Sequence, residues 1–249
     1  RHGVVYDNID INAAKEKKIT ISITSNSLSA TVAEHVFFMM LNISKGLNTY
    51  TKIVKEGNFN KRKELPLSKE LYKKTILIIG FGRIAKNLIK KCISFDMKVL
   101  VYDPYVNKKT INYYGGKKIN NLYKSIKLSD YVSIHTPLTK ETKNLINMKV
   151  LKSMKKSAII INSSRGGIIN ENDLNKALNK NIIFGAGLDV FEQEPPNKNN
   201  PLLKNKKIIL TPHVSTFTEE CNERMGIETI QNIIDFFEKK LNNSKIVKF

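Results

Sequence analysis

A chain of 249 residues with 41% hydrophobic and 8% aromatic content is long enough for one large or two modest cores and too apolar for a disordered segment. Its longest apolar runs, such as residues 158–161, are far too short to cross a bilayer, so no membrane partner is expected, and no leader pattern opens the chain. The net charge of +20 raises nucleic acid as a partner, but the lysines recur in pairs such as Lys17-Lys18, Lys73-Lys74 and Lys155-Lys156 over every segment, with no arginine stripe interleaved with aromatics, so no nucleic-acid partner is expected. Cys92 and Cys221 are too few for a disulfide framework and lack metal-ligand spacing. They read as free thiols in a reducing cytoplasm, and no metal site is expected. There is no initiator Met and the pattern is already under way at Arg1, so the chain reads as a fragment.

Residues 1–24 hold a helical stretch near 11–17 and a short strand at 19–23, too little for a core of their own. From Ser29, the positions of Ala30, Val32, Ala33, Val36, Phe37, Met40, Leu41 and Ile43 have helical spacing, with Ser29 or Thr31 as cap. That helix is apolar around most of its surface, which suits burial inside a domain or in a subunit contact. Residues 55–70 are polar and read as a loop. A β-branched run at 76–79 then stops at Gly80-Phe-Gly82-Arg-Ile-Ala85, where a helical pattern begins. This is a strand feeding a phosphate-binding turn: Gly80 permits the sharp exit, Gly82 lets a pyrophosphate approach backbone N–H groups, and Ala85 lets helix and strand pack closely.

The next strand ends in Asp103, about 20 residues beyond Gly82, the spacing of an acid that binds the adenine ribose. Its charge would repel a 2′-phosphate, and Pro104 and Tyr105 offer no cation, so NAD is expected rather than NADP. Further strands are expected at 116–119, 131–135, 158–162, 184–190 and 207–211, with helical patterns between most of them. Alternation of this length predicts an α/β fold with a doubly wound parallel sheet. The last helical pattern, 219–240, puts Met225, Ile227, Ile230, Ile233, Ile234, Phe236 and Phe237 on a broad apolar face that needs a surface to lie on.

Three stretches after strands carry chemistry. In Asn162-Ser-Ser-Arg165-Gly-Gly167 a guanidinium beside two glycines suits bidentate capture of a carboxylate. In Asp189-Val-Phe-Glu192-Gln-Glu194 the aspartate at a strand end can hold a nicotinamide carboxamide, and either glutamate can orient a base. In Thr211-Pro-His213 an imidazole placed rigidly at the sheet edge suits proton transfer to a carbonyl oxygen. Of the other histidines, His35 reads as a packed, hydrogen-bonded core residue and His135 as part of the cofactor pocket wall.

The order of these motifs resembles the D-isomer-specific 2-hydroxyacid dehydrogenases, most of all their phosphoglycerate dehydrogenase branch. The resemblance runs from Tyr6-Asp-Asn-Ile-Asp10 and Asn26-Ser-Leu-Ser-Ala30 through Gly80-Phe-Gly-Arg-Ile84, Tyr102-Asp-Pro104 and His135-Thr-Pro-Leu-Thr139. It continues with Asn162-Ser-Ser-Arg-Gly-Gly167, Leu188-Asp-Val-Phe191, Glu194-Pro195 and Thr211-Pro-His213. It implies a Rossmann-like NAD-binding domain at 28–215, with residues 1–27 and 216–249 as remnants of a second, substrate-binding domain whose larger part precedes the point matching Arg1. It implies that Arg165 binds the substrate carboxylate, that His213 is the acid/base, and that Glu194 hydrogen-bonds its imidazole, Glu192 falling where the family varies. Cofactor contacts would come from Gly80, Gly82, Arg83 and Ile84 at the phosphates, Asp103 at the ribose, and Thr136, Ser163, Ser164 and Asp189 nearer the nicotinamide. The substrate would be a 2-hydroxy or 2-keto acid, 3-phosphoglycerate first and glyoxylate or hydroxypyruvate next, and the assembly a homodimer joined through the cofactor domain. Val5 stands where the family's substrate loop carries a second glycine, a departure that bears on substrate choice. A module that binds NAD without turnover is the alternative expectation.

Overall fold

The computed structural model describes residues 1–4, 6 and 9–247. Seven strands form one sheet: β1 (Thr75–Ile79), β2 (Lys98–Tyr102), β3 (Lys117–Ile119), β4 (Tyr131–Ile134), β5 (Ile159–Asn162), β6 (Gly185–Leu188) and β7 (Ile208–Leu210). Every pairing is parallel and the spatial order is β3-β2-β1-β4-β5-β6-β7. The order therefore reverses between β1 and β4, the switch point of a doubly wound sheet. The β-branched runs form the central strands because these are buried on both faces, where apolar side chains are favoured and a polar one such as Ser133 or Asn162 is kept only with hydrogen-bond partners.

Alternation along each strand sends neighbouring residues into two separate cores. Leu77, Ile79, Val132, Ile134 and Ile160 pack with α6 (Leu122–Ile126), α7 (Met148–Ser153) and α8 (Glu171–Asn179) on one face. Ile76, Ile78, Val99, Val101, Ile159 and Ile161 pack on the other face with α2 (Ser29–Lys45), α4 (Arg83–Ser94) and α5 (Lys108–Tyr113). Met39 and Met40 of α2 are fully buried, and so is Cys92 of α4, whose thiol burial pushes up to about 12. Cys92 and Cys221 are both buried and unpaired. Against β6 the contact is close, since a Cβ on Gly187 would lie 2.9 Å from Met39 Sδ and from Ile161 Cδ1.

The chain divides into two compact units, Ala33–Ser215 holding the sheet, and Arg1–Val32 with Thr216–Phe249. In the second unit α1 (Ile11–Glu16) is capped by Asp10, and Ala14, Ile21 and Val247 form a small core. Residues 19–23 do not form the expected strand. Among the described residues their bridge joins Ser22 to Ile246, directly after the 3-10 turn at Asn243–Lys245 that curls the partner segment. The last helix, α9 (Glu219–Phe237), ends a turn earlier than its pattern suggests. It buries Met225 but exposes Ile227, Ile230, Ile233 and Phe237. Within the sheet unit's own sequence, α3 (Leu47–Lys55) and a 3-10 turn at Phe59–Glu64 occupy ground partly read as loop.

Because a side chain at Gly187 would have to displace Met39 Sδ and Ile161 Cδ1 in the packed core, Gly187→Val is expected to destabilise the sheet unit by about 1–3 kcal/mol through overpacking, read as a lower urea midpoint at unchanged slope.

Candidate active site

All the motif residues at strand ends meet at one edge of the sheet, because parallel strands deliver their carboxyl ends to the same side. At β1 the chain leaves through Gly80 at φ +87°, and a Cβ there would lie 2.6 Å from the His135 carbonyl oxygen, so only glycine passes. Gly82 caps α4 with no side-chain cap, and the first turn carries no acidic residue. The first N–H groups of a helix have no partner within it, and the positive dipole end adds to their attraction for an anion. A Cβ on Gly82 would meet nothing within 4 Å, so the approach to these groups is open. Arg83, exposed, and Ile84, half-buried, are the first helical residues beside them.

Asp103, at the end of β2, ties this turn down. Its Oδ2 accepts from Phe81 N–H at 2.7 Å, while Oδ1 accepts from Tyr105 and Val106 N–H at 2.8 and 3.0 Å. A carboxylate offers about four acceptor sites, so capacity for a ribose hydroxyl remains. Across the switch point, Thr136 Oγ1 and Ser163 Oγ are buried without a hydrogen-bond partner among the described residues. Two orphaned hydroxyls at the ends of β4 and β5, an uncapped helix start and an acid at β2 fit a dinucleotide laid across the strand ends. From β2 to β7 is five strand spacings, roughly 24 Å at about 4.8 Å each. His135 Nε2 lies 2.8 Å from Ser133 Oγ, and burial pushes its pKa down to about 4, so the ring at the end of β4 is neutral.

At β5 the structure adds a residue to which the motif reading gave no role. Asn162 is buried, its Oδ1 accepting from the N–H and the hydroxyl of Ser164 at 3.0 and 2.8 Å while its Nδ2 donates to the Arg165 carbonyl at 2.8 Å. The signal available was an Asn ending a strand before Ser-Ser, a side chain that can shape a turn by itself. Gly166 lets this turn run against the next one, since a Cβ there would fall 1.8 Å from the Phe191 carbonyl oxygen. Arg165 is half-buried, and one guanidinium nitrogen donates to the Ser164 carbonyl.

Glu194 and His213 are brought together. Glu194 Oε2 lies 2.7 Å from His213 Nδ1, and Oε1 accepts from Phe191 N–H at 3.1 Å, which fixes the carboxylate. A carboxylate on Nδ1 places a proton there, leaves Nε2 to face outward, and offers compensating charge when the ring becomes an imidazolium. The His213 and Glu194 side chains are 45% and 37% exposed, so the pair is open to a small molecule. His213 adopts φ +54°, a left-handed conformation that costs a non-glycine residue of order 1–3 kcal/mol and persists only where its surroundings enforce it.

Asp189 supplies that enforcement. It is fully buried, its Oδ1 accepting from Thr211 Oγ1 at 2.6 Å and Val214 N–H at 2.9 Å, its Oδ2 from Ser215 N–H at 3.0 Å. The sequence assigned Asp189 to the nicotinamide alone; the geometry makes it a brace of the turn 211–215. A cavity of about 630 Å³ lies elsewhere, lined by Ser157, Phe184 and Lys207 ahead of β5, β6 and β7, at the opposite edge from this chemistry. Val5 lies outside the described residues, and among those described no group of His, Cys, Asp and Glu is arranged to hold a metal ion.

Residues 37–215 match the family model described as D-isomer specific 2-hydroxyacid dehydrogenase, NAD binding domain. The chain is 37% identical to the D-3-phosphoglycerate dehydrogenase of Methanocaldococcus jannaschii, over 94% of this chain and 44% of that protein, so it spans less than half of that relative. It is 34% identical to the glyoxylate reductase of Korarchaeum cryptofilum, over 100% of this chain and 76% of that one. In structure it resembles the D-lactate dehydrogenase of Aquifex aeolicus complexed with NAD and lactic acid, with a TM-score of 0.88, 31% identity, and coverage of 99% of this chain and 78% of that one. A parallel sheet whose switch point carries the glycine turn, with a carboxylate-held imidazole on the same edge, and a family match over most of its length place this chain in the D-isomer-specific 2-hydroxyacid dehydrogenase family, as a bearer of its NAD-binding domain.

Proposed function

We propose that the chain is the cofactor-binding and proton-transferring part of an NAD-dependent D-2-hydroxyacid dehydrogenase, with 3-phosphoglycerate as the first substrate candidate and glyoxylate or hydroxypyruvate next. The observation that carries this reading is the Glu194–His213 pair, 2.7 Å apart, open to solvent, on the sheet edge that also holds the glycine turn. Bound NAD would accept or supply the hydride at the substrate's C2. The chain's own residues do the rest. Arg165 would clamp the substrate carboxylate with its planar fork and so fix which face of C2 is presented. His213 Nε2 would take the hydroxyl proton on oxidation and return it to the keto oxygen on reduction, with Glu194 holding the ring in the tautomer that leaves Nε2 free.

Gly80, Gly82, Arg83 and Ile84 would meet the pyrophosphate, Asp103 the ribose, and Thr136, Ser163, Ser164 and Asp189 the nicotinamide half. The orphaned hydroxyls of Thr136 and Ser163 support the last assignment. Residues 1–27 and 216–249 are read as part of a substrate-binding domain, supported by the exposed apolar side chains of Ile227, Ile230, Ile233 and Phe237 on α9. A homodimer is proposed on the exposed apolar side chains of Phe38, Leu47, Val54 and Phe59 in the α2–α3 region, and a cytoplasmic setting on the two unpaired cysteines.

In the complete protein, His213→Ala is expected to lower kcat for NADH-dependent reduction of 2-keto acids by about 10²–10⁴-fold with little change in NADH affinity. Turnover at the wild-type rate would remove the role given to His213. For the ribose, Asp103→Asn is expected to weaken NADH binding by about 1.5–3 kcal/mol, the worth of a hydrogen bond to a charged group, and to narrow the preference over NADPH. Fluorescence titration with both cofactors measures this, and an unchanged NADH/NADPH ratio would contradict it.

A further inference from the structure

We propose that His35 is a positioning residue for His213, acting through the Thr211 hydroxyl and the Asp189 carboxylate on the turn 211–215. This rests on the reading of His213 as the acid/base given above. His35 lies on α2, packed against the sheet, and its Nε2 is 3.0 Å from Thr211 Oγ1 and 3.7 Å from Asp189 Oδ1. Thr211 Oγ1 is in turn 2.6 Å from Asp189 Oδ1. A hydroxyl has one proton, and at that distance from a carboxylate oxygen it must lie between them. Thr211 Oγ1 is therefore left as an acceptor, and His35 must donate from Nε2–H. The tautomer follows from the geometry, and the bond order along the chain is fixed: His35 to Thr211 to Asp189.

Asp189 then distributes this constraint. Its two oxygens take the N–H groups of Val214 and Ser215, the two residues after His213, while His213 N–H donates to the Thr211 carbonyl at 3.0 Å. The imidazole of His213 is thus set from both sides of its own backbone, by the residues that the His35 chain holds. Burial lowers the pKa of His35 and the nearby Asp189 charge only partly opposes this, so the ring stays neutral with one proton to donate. The side chain of His35 is 17% exposed and its ring packs at a tilt beside Phe38, which keeps Nε2 aimed inward. His35 makes no claim on substrate or cofactor; it would act on the rate through the aim of another imidazole.

The test is steady-state kinetics on the complete protein for His35→Leu, His35→Gln and His213→Ala, with NADH affinity and melting temperature measured alongside. His35→Leu is expected to lower kcat about tenfold while the keto-acid KM and NADH Kd stay within about twofold and the melting temperature holds. His35→Gln, whose amide nitrogen replaces the Nε2 donor, is expected to recover to within about threefold of wild type. An unchanged kcat in His35→Leu, equal losses in the two variants, or a loss that follows NADH affinity or melting temperature would each overturn the inference. Wild-type turnover by His213→Ala would overturn the reading of His213 and this inference with it; a dead His213→Ala beside a fully active His35→Leu would overturn this inference alone. If His35→Leu does not fold, Thr211→Val against Thr211→Ser makes the same comparison, with Val slow and Ser restored as the supporting result and equal rates as the overturning one.

Discussion

The close passage of β1 along β4 at the switch point governs the rest of this structure. Gly80 runs so near the His135 carbonyl that no side chain fits between them. Strand order reverses at that line, so the connections after β1 and β4 lead to opposite sides and leave an opening above the strand ends. Everything with chemical potential sits along the rim of that opening. Asp103 and the start of α4 lie toward β2, and Arg165, Glu194 and His213 lie toward β7. A fold that puts β5, β6 and β7 in sequence beside β4 places three successive loops side by side, which is why residues far apart in the chain meet as one site.

The second constraint is electrostatic and buried. Asp189 has no exposure, and a carboxylate out of water must have its lone pairs occupied to be tolerated. It is satisfied by the hydroxyl of Thr211 and the backbone of Val214 and Ser215, and in being satisfied it stabilises a left-handed His213. Asn162 does the neutral equivalent one strand earlier, shaping the turn that presents Arg165. Both loops are thus preorganised by a polar side chain at the end of their own or the adjacent strand. The open pair of Glu194 and His213 stands on this closed support.

Much of this was legible in the sequence. The strands of the sheet announced themselves because a sheet buried on both faces favours apolar, β-branched runs, and 76–79 and 159–161 read Ile-Leu-Ile-Ile and Ile-Ile-Ile. The motif glycines were legible because a turn that tight tolerates little else. What failed to register depended on distant partners. Residues 19–23 have strand composition, but among the described residues their pairing is a bridge from Ser22 to Ile246. The helix α3 buries none of its residues, so its pattern of Lys, Asn and Thr carried no core signal. The bracing role of Asp189 was hidden because a strand-end carboxylate gives no sign in the sequence of the turn two dozen residues on whose backbone it also holds. His35 read as a packed, hydrogen-bonded core histidine; it is hydrogen-bonded but only half-buried, and what it holds becomes apparent only when Thr211 is placed beside it.

If NAD lies in the opening above β1 and β4, its pyrophosphate rests against the start of α4. Gly82 tests the location directly, since a side chain there would project into the open approach without disturbing a neighbour. Calorimetric titration of the wild-type chain and of Gly82→Val with NADH is the decisive measurement. One-site binding by the wild type, and a loss of at least about tenfold in affinity in a variant that melts at the same temperature, is expected. Equal NADH affinity in the two proteins would contradict it.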